Sequence, residues 1–218
     1  MFHSATLIFC IYSNINVVLH IPKTGGSSIR ATFEHCKNFY FPQHDVISLY
    51  NKCSQTKYYA VLRNPYDRLF SSFTYYKYGS NLYNPRQKIT TNLSFTDFLE
   101  HLSNSSSSLH TAVKRITTSR DWKNTPWIWA DHFKAQTHWM QHCDIKIICY
   151  SNNILHSFHN ITGCNFSRHK VVNPTYKNTE KKVSWHSLTL NVKSFIMSKY
   201  KSDFIMYAKH CINDSQHS

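Results

Sequence analysis

Apolar positions along this chain fall into short blocks rather than long stripes. Residues 15–19, INVVL, 58–62, YYAVL, and 144–150, DIKIICY, are compact β-branched or aromatic runs, and each predicts a buried strand. Helical signals lie between and after them. Residues 29–36 predict a helix following the first strand. Beyond the second strand, Asn64 suits an N-cap, Pro65 the first helical position and Asp67 the first turn. Residues 94–102 predict a further helix, with Ser94 as N-cap and Asp97 three positions on as a capping-box variant. A helix is also predicted over residues 152–159. Leu188, Val192, Phe195, Ile196 and Tyr200 recur at helical spacing, so the stretch 185–211 predicts a packing helix. Residues 39–50 are mixed and broken at Pro42, residues 78–91 predict a polar surface loop, and the small polar tract 104–108 predicts a linker rather than a domain boundary. No internal repeat or heptad array is present.

Glycine changes this picture because it is scarce. The chain holds four glycines, and Gly25 and Gly26 stand together in HIPKTGGSSIR, residues 20–30. A strand that turns through glycines into a helix N-terminus makes an anion cradle, since backbone N–H groups and the helix dipole face one point. Lys23 adds a full charge at the rim. The order differs from the nucleoside-triphosphate loop GxxxxGK[ST], in which lysine follows the last glycine. The second anion signal is YYAVLRNPYDRLFSS, residues 58–72, which places Arg63 at a strand's carboxyl end and Ser71 about two turns into the next helix. Arginine with a hydroxyl offers a terminal phosphate a permanently charged donor fork and a companion hydrogen bond. Ser72 is the near alternative to Ser71. Arg68 either reaches the phosphate or braces the loop through a carboxylate, and bracing is the expectation.

These two motifs, PKTGGSS after an apolar strand and RNPYDRLFSS after a second, resemble those of PAPS-dependent carbohydrate sulfotransferases of the Golgi type, the sulfotransferase family 2 and heparan sulfate 2-O-sulfotransferase-like group. The resemblance extends through His132, Phe133 and Gln136, of the type H-[FW]-x-x-Q, to Tyr200, Asp203 and Phe204, of the type YxxDF. It implies a P-loop-like three-layer α/β fold, with a central, mostly parallel sheet flanked by helices, built as a single domain over residues 1–218. It also implies sulfuryl transfer from 3′-phosphoadenosine 5′-phosphosulfate (PAPS) to a carbohydrate hydroxyl. Lys23, Thr24, Gly25, Gly26, Ser27 and Ser28 are then expected to hold the 5′-phosphosulfate, and Arg63 with Ser71 the 3′-phosphate. Lys23 is further expected to stabilise the leaving phosphate oxygen. His44, in a segment after the first helix and before the second strand, is expected to be the general base, with Glu34 the next candidate. Asp45 stands beside it as an orienting group.

Composition narrows the partners without choosing among them. Hydrophobic residues make up 41% and aromatic residues 15%, so the chain is globular, and its net charge of +14 predicts a positive field that suits PAPS and an anionic glycan, a glycosaminoglycan among them. A non-catalytic binder of nucleic acid or another polyanion fits the charge equally well, but needs neither Lys23 beside paired glycines nor Arg63 at a strand end. Nucleic acid is therefore not the expected partner. A nucleotide kinase needs the other lysine order and a magnesium carboxylate set, which this chain does not offer. No metal is expected: the seven cysteines lack CxxC spacing and no zinc-type Cys/His pairing recurs. One or two disulfides are compatible with the count, and sequons at Asn92, Asn104, Asn160, Asn165 and Asn213 suit a luminal protein. The N-terminal apolar run, residues 5–12, is too short to span a bilayer. A Golgi location follows from the resemblance alone, and a soluble form is the alternative. Tryptophans within 122–139 are expected to be mainly core, some stacking on sugar. The basic stretch 167–179 is either a rim for an anionic acceptor or a solvated face.

Overall fold

The computed structural model describes residues 16–42, 56–75, 77, 93–111, 132–140, 144–165 and 181–212. They form two compact units, one made of residues 1–63, 136–173 and 206–218, the other of residues 64–135 and 174–205.

The first unit is an α/β sandwich around a four-stranded, all-parallel sheet. Its strands are β1 (Asn16–Leu19), β2 (Phe39–Tyr40), β3 (Lys57–Leu62) and β4 (Ile145–Cys149), in the order β2-β1-β3-β4. Val17 lies opposite Tyr58 and Leu19 opposite Ala60, while Tyr58 pairs with Ile145 and Leu62 with Cys149. Side chains alternate between faces with period two, so both faces of this sheet need cover. Val18, Tyr59, Val61 and Ile148 meet Ile29 and Phe33 of helix α1 (Gly26–Phe33), and Ile154, Leu155 and Phe158 of a later helix, on one face. The rings of Phe33 and Phe158 pack with centroids 4.5 Å apart. On the other face Val17, Leu19, Tyr58, Ala60 and Leu62 meet Trp139 and Met140 of a 3₁₀ turn (Gln136–Met140), together with Tyr207 and Cys211. Helices and turns on two sides of a parallel sheet make the three layers that the sequence leads one to expect. Among the described residues two disulfides belong to this unit. Cys36–Cys164 joins the chain just after α1 to that just after the later helix, and Cys149–Cys211 ties the end of β4 to the C-terminal segment.

The second unit is helical. Helix α2 (Pro65–Thr74) starts as its sequence dictates: the Asn64 side chain accepts from the N–H groups of Tyr66 and Asp67, and Pro65 takes the first position. Helix α3 (Phe95–Ser103) opens on a complete capping box between Ser94 and Asp97. These hydrogen bonds hold the Asp97 carboxyl below its usual range. In the first unit, α4 (Ile154–Thr162) is the later helix just described, and it ends on Gly163 in a left-handed turn. The C-terminal stretch predicted as one helix is broken. Helix α5 (Leu190–Lys199) stops at Tyr200 (φ −113°), and α6 (Lys201–Tyr207) begins anew before a π turn (Ala208–Ile212). Phe73, Phe95, Phe98, Leu99, Phe133, Val192, Ile196 and Tyr200 form the buried core of this second unit.

Among the described residues no helix is long and apolar enough to cross a membrane. His44 and Asp45, the loop 78–91, Trp122, Trp127 and Trp129, the basic stretch 167–179, the N-terminal run 5–12 and the sequons at Asn92 and Asn213 lie outside the described residues.

Candidate functional site

Strand order locates the crevice before any side chain is considered. β1 has β2 on one side and β3 on the other, and the connection leaving β1 runs to β2 while the one leaving β3 runs to β4. Ligands of open parallel sheets bind where neighbouring connections part in this way, beyond the carboxyl ends of the strands. The loop after β1 and the residue after β3 flank that point. They carry Lys23 and Arg63.

The loop is fixed by its own chemistry. Thr24 is buried and its hydroxyl donates to the Ile21 carbonyl at 2.8 Å. Gly25 adopts φ +88° and stands as N-cap of α1, which has no side-chain cap hydrogen bond. The N–H groups of Ser28 and Ile29 turn back onto the Gly25 carbonyl at 3.0 and 3.1 Å. Both glycines are required. A Cβ on Gly26 would lie 2.5 Å from Cδ2 of His20, and one on Gly25 would lie 3.1 Å from the ring of Tyr150. Ser27 Oγ lies 3.5 Å from His20 Nε2, at the limit of a hydrogen bond. Lys23 is the one non-glycine among the described residues with a positive φ, +66°. Left-handed backbone at a long side chain is a strained state that persists only where its surroundings hold it.

Arg63 is held from three directions. Its backbone N–H donates to Gln136 Oε1 at 3.0 Å, and its carbonyl accepts from Gln136 Nε2 at 2.8 Å, so one buried amide grips both sides of the residue. Its guanidinium stacks over the Tyr150 ring, 4.5 Å from the centroid, and Nη1 donates to the Lys23 carbonyl at 3.1 Å. Tyr150 follows β4 directly and touches both Gly25 and Arg63. Burial, and then the charge of Arg63, push the Lys23 ammonium down to about 8. Two cations, one of them destabilised by desolvation and by the other, meet beside a helix N-terminus. That donor set fits a phosphate or sulfate group.

The remaining predicted residues fall as follows. Thr24, Gly25, Gly26, Ser27 and Ser28 form the turn and the first turn of α1. Ser71 is half-buried on α2 in the second unit, and its carbonyl accepts from the Thr74 hydroxyl. Ser72, its alternative, is buried and donates to the carbonyls of Arg68 and His132 at 3.0 and 3.1 Å. Arg68 is 1% exposed, and its Nη2 braces residues 132–134 through the carbonyls of His132 and Lys134. Glu34 is exposed at the C-cap of α1, the far end of the helix from Lys23 by about 12 Å of axial rise, so it cannot serve as a base at the loop. Tyr200 is buried with its hydroxyl on the Phe133 carbonyl at 3.1 Å, a packing role. Burial is the first cause of its raised pKa. His35, Cys36 and Cys164 place ligand atoms within 4.8 Å of one another, but the two sulfurs are joined to each other and offer no thiolate. Tyr150 was not anticipated by sequence. The available signal is an aromatic residue at the carboxyl end of the strand predicted over residues 144–150.

No model of a known family, no curated protein and no solved structure matches this chain.

Proposed function

We propose that this protein is a sulfotransferase that moves a sulfuryl group from PAPS to a hydroxyl of a carbohydrate, with an anionic glycan as the acceptor class. The observation that carries the reading is the meeting of Lys23 and Arg63 at the ends of neighbouring parallel strands, beside the glycine-capped start of α1. The order of the motifs, and their resemblance to the sulfotransferase loops, supply the choice of anion. PAPS contributes an activated sulfuryl group and a phosphate leaving group. The protein's part is positional and electrostatic. Lys23 and the amides of residues 24–27 stabilise charge on the departing phosphate oxygen. Arg63, pinned by Gln136 and Tyr150, binds the phosphate at the other end of the adenylate. His44 takes the proton of the acceptor hydroxyl, as an imidazole that titrates near neutral pH can do.

The test is calorimetry with 3′,5′-adenosine bisphosphate alongside radiolabelled sulfate transfer over a panel of glycans. The expected result is binding by the wild type and at least about tenfold weaker binding by both Lys23→Ala and Arg63→Ala, each losing a charge-assisted contact. His44→Ala keeps the affinity and loses turnover. Affinity for the bisphosphate that neither Lys23→Ala nor Arg63→Ala alters would end this reading, as would binding confined to long polyanions, which the net charge of +14 alone explains.

A further inference from the structure

Of the five sequons, three begin on described residues, and their settings differ. Asn104 closes α3 as its C-cap, exposed, with extended backbone at φ −87° and ψ 110°. Its Oδ1 accepts the N–H of Ser106 at 3.0 Å, which folds the sequon into an Asx-turn and joins the asparagine side chain to the residue carrying the sequon hydroxyl. Among the described residues its Nδ2 donates to none. A cavity of about 470 Å³ opens beside it, lined by Glu100, Ser103, Ser105, Thr189, Asn191 and the apolar Val192, a mostly polar lining with space for a sugar ring. Asn160 is also exposed, but its sequon forms the last turn of α4, where the Thr162 hydroxyl already donates to the Phe158 carbonyl at 2.7 Å. Asn165 follows the bridged Cys164, and its carbonyl lies 3.0 Å from His35 Nε2.

The two disulfides bear on the compartment. Such bonds persist in the oxidising secretory pathway and are rare in the cytosol, and the secretory pathway is also where sequons are modified. We propose that Asn104 is an N-glycosylation site. In the transfer, Nδ2 of Asn104 attacks the anomeric carbon of an oligosaccharide carried on a polyprenyl diphosphate. The carbon–nitrogen bond forms as the anomeric carbon–oxygen bond breaks, the diphosphate departs with that electron pair, and the amide proton passes to a base of the cell's transferase. The Asx-turn ties the Asn104 side chain to the backbone of Ser106, the residue that carries the sequon hydroxyl, and the mostly polar cavity receives the first sugar. This site is independent of sulfuryl transfer.

The experiment is secretion of the full chain from eukaryotic cells, enzymatic removal of N-glycans in heavy-oxygen water, and site-resolved mass spectrometry. Each formerly glycosylated asparagine becomes a labelled aspartate. The expected result is label at Asn104 in most molecules and more than at Asn160, with the Asn104 label lost in Ser106→Ala. Wild-type chains without label at Asn104, greater label at Asn160, or label at Asn104 that survives Ser106→Ala would each overturn the proposal.

Discussion

Lys23 works against the stability of the fold that contains it. Its backbone is left-handed and its ammonium is buried beside Arg63, two costs that a stability optimum would remove. Glycine takes the left-handed conformation freely and carries no charge. Lys23→Gly is therefore expected to be more stable at pH 7, by about 1 kcal/mol after the entropy of the new glycine is counted. In a chain of this size that is a rise of about 2–4 °C in a thermal melt. The same variant loses affinity for adenosine bisphosphate. The pH dependence has a definite sign. The folded lysine releases its proton near pH 8 and the unfolded one near 10.5, so between these values the unfolded state binds more protons and wild-type stability rises with pH. The advantage of Lys23→Gly then shrinks across that window, and parallel melts at pH 7 and pH 10 measure it. A bound anion favours the charged lysine. Affinity for the bisphosphate accordingly falls as pH climbs above about 8, which calorimetry over pH 7–9.5 checks.

At the scale of elements, the site depends on a contact across 73 residues of sequence, Gln136 on the backbone of Arg63. Gln136→Ala removes a donor and an acceptor from two partly buried main-chain groups at once. The expected loss is about 2–3 kcal/mol, read as a lower urea midpoint at unchanged slope. Weaker bisphosphate binding accompanies it, because Arg63 is no longer held beneath Tyr150. This contact also marks where sequence reading stops. Strands β3 and β4 declare themselves, as 58–62 and 144–150, by β-branched and aromatic content, and Asn64-Pro65 and Ser94-x-x-Asp97 by local capping chemistry, all settled within a few residues. The predicted helix begins at Ile29, three residues after the observed start of α1 at Gly26, because paired glycines are poor helix formers; tertiary packing against His20 and Tyr150 overrides that preference. β2 is two residues long and has too little pattern to declare itself. Lys23 and Arg63 stand out in sequence as charges at strand ends. Their contact, and the roles of Gln136 and Tyr150, are products of strand order, which local periodicity does not encode.

At the scale of the whole molecule, the first unit is laced by its bridges. Cys149–Cys211 closes a separation of 62 residues and Cys36–Cys164 one of 128, with Cα atoms 5.5 and 6.5 Å apart. Cross-links over such loops stabilise mainly by limiting the unfolded chain, by about 2–5 kcal/mol each. Cys149→Ser with Cys211→Ser is expected to lower the melting temperature without reductant, and to leave a smaller further drop when reductant is added. Equal melting with and without reductant in the wild type would show that neither bridge forms. The net charge of +14 is a property of this scale as well, and makes any binding of a polyanion strongly salt-dependent.

The interleaving of the two units has a consequence for synthesis. The helical unit takes its final piece from residues 174–205, and the sheet-bearing one from residues 206–218. A nascent chain emerging from the ribosome therefore has all four strands available long before either body can be completed. Its cellular yield depends on what shields the unfinished sheet until residues 206–218 have emerged.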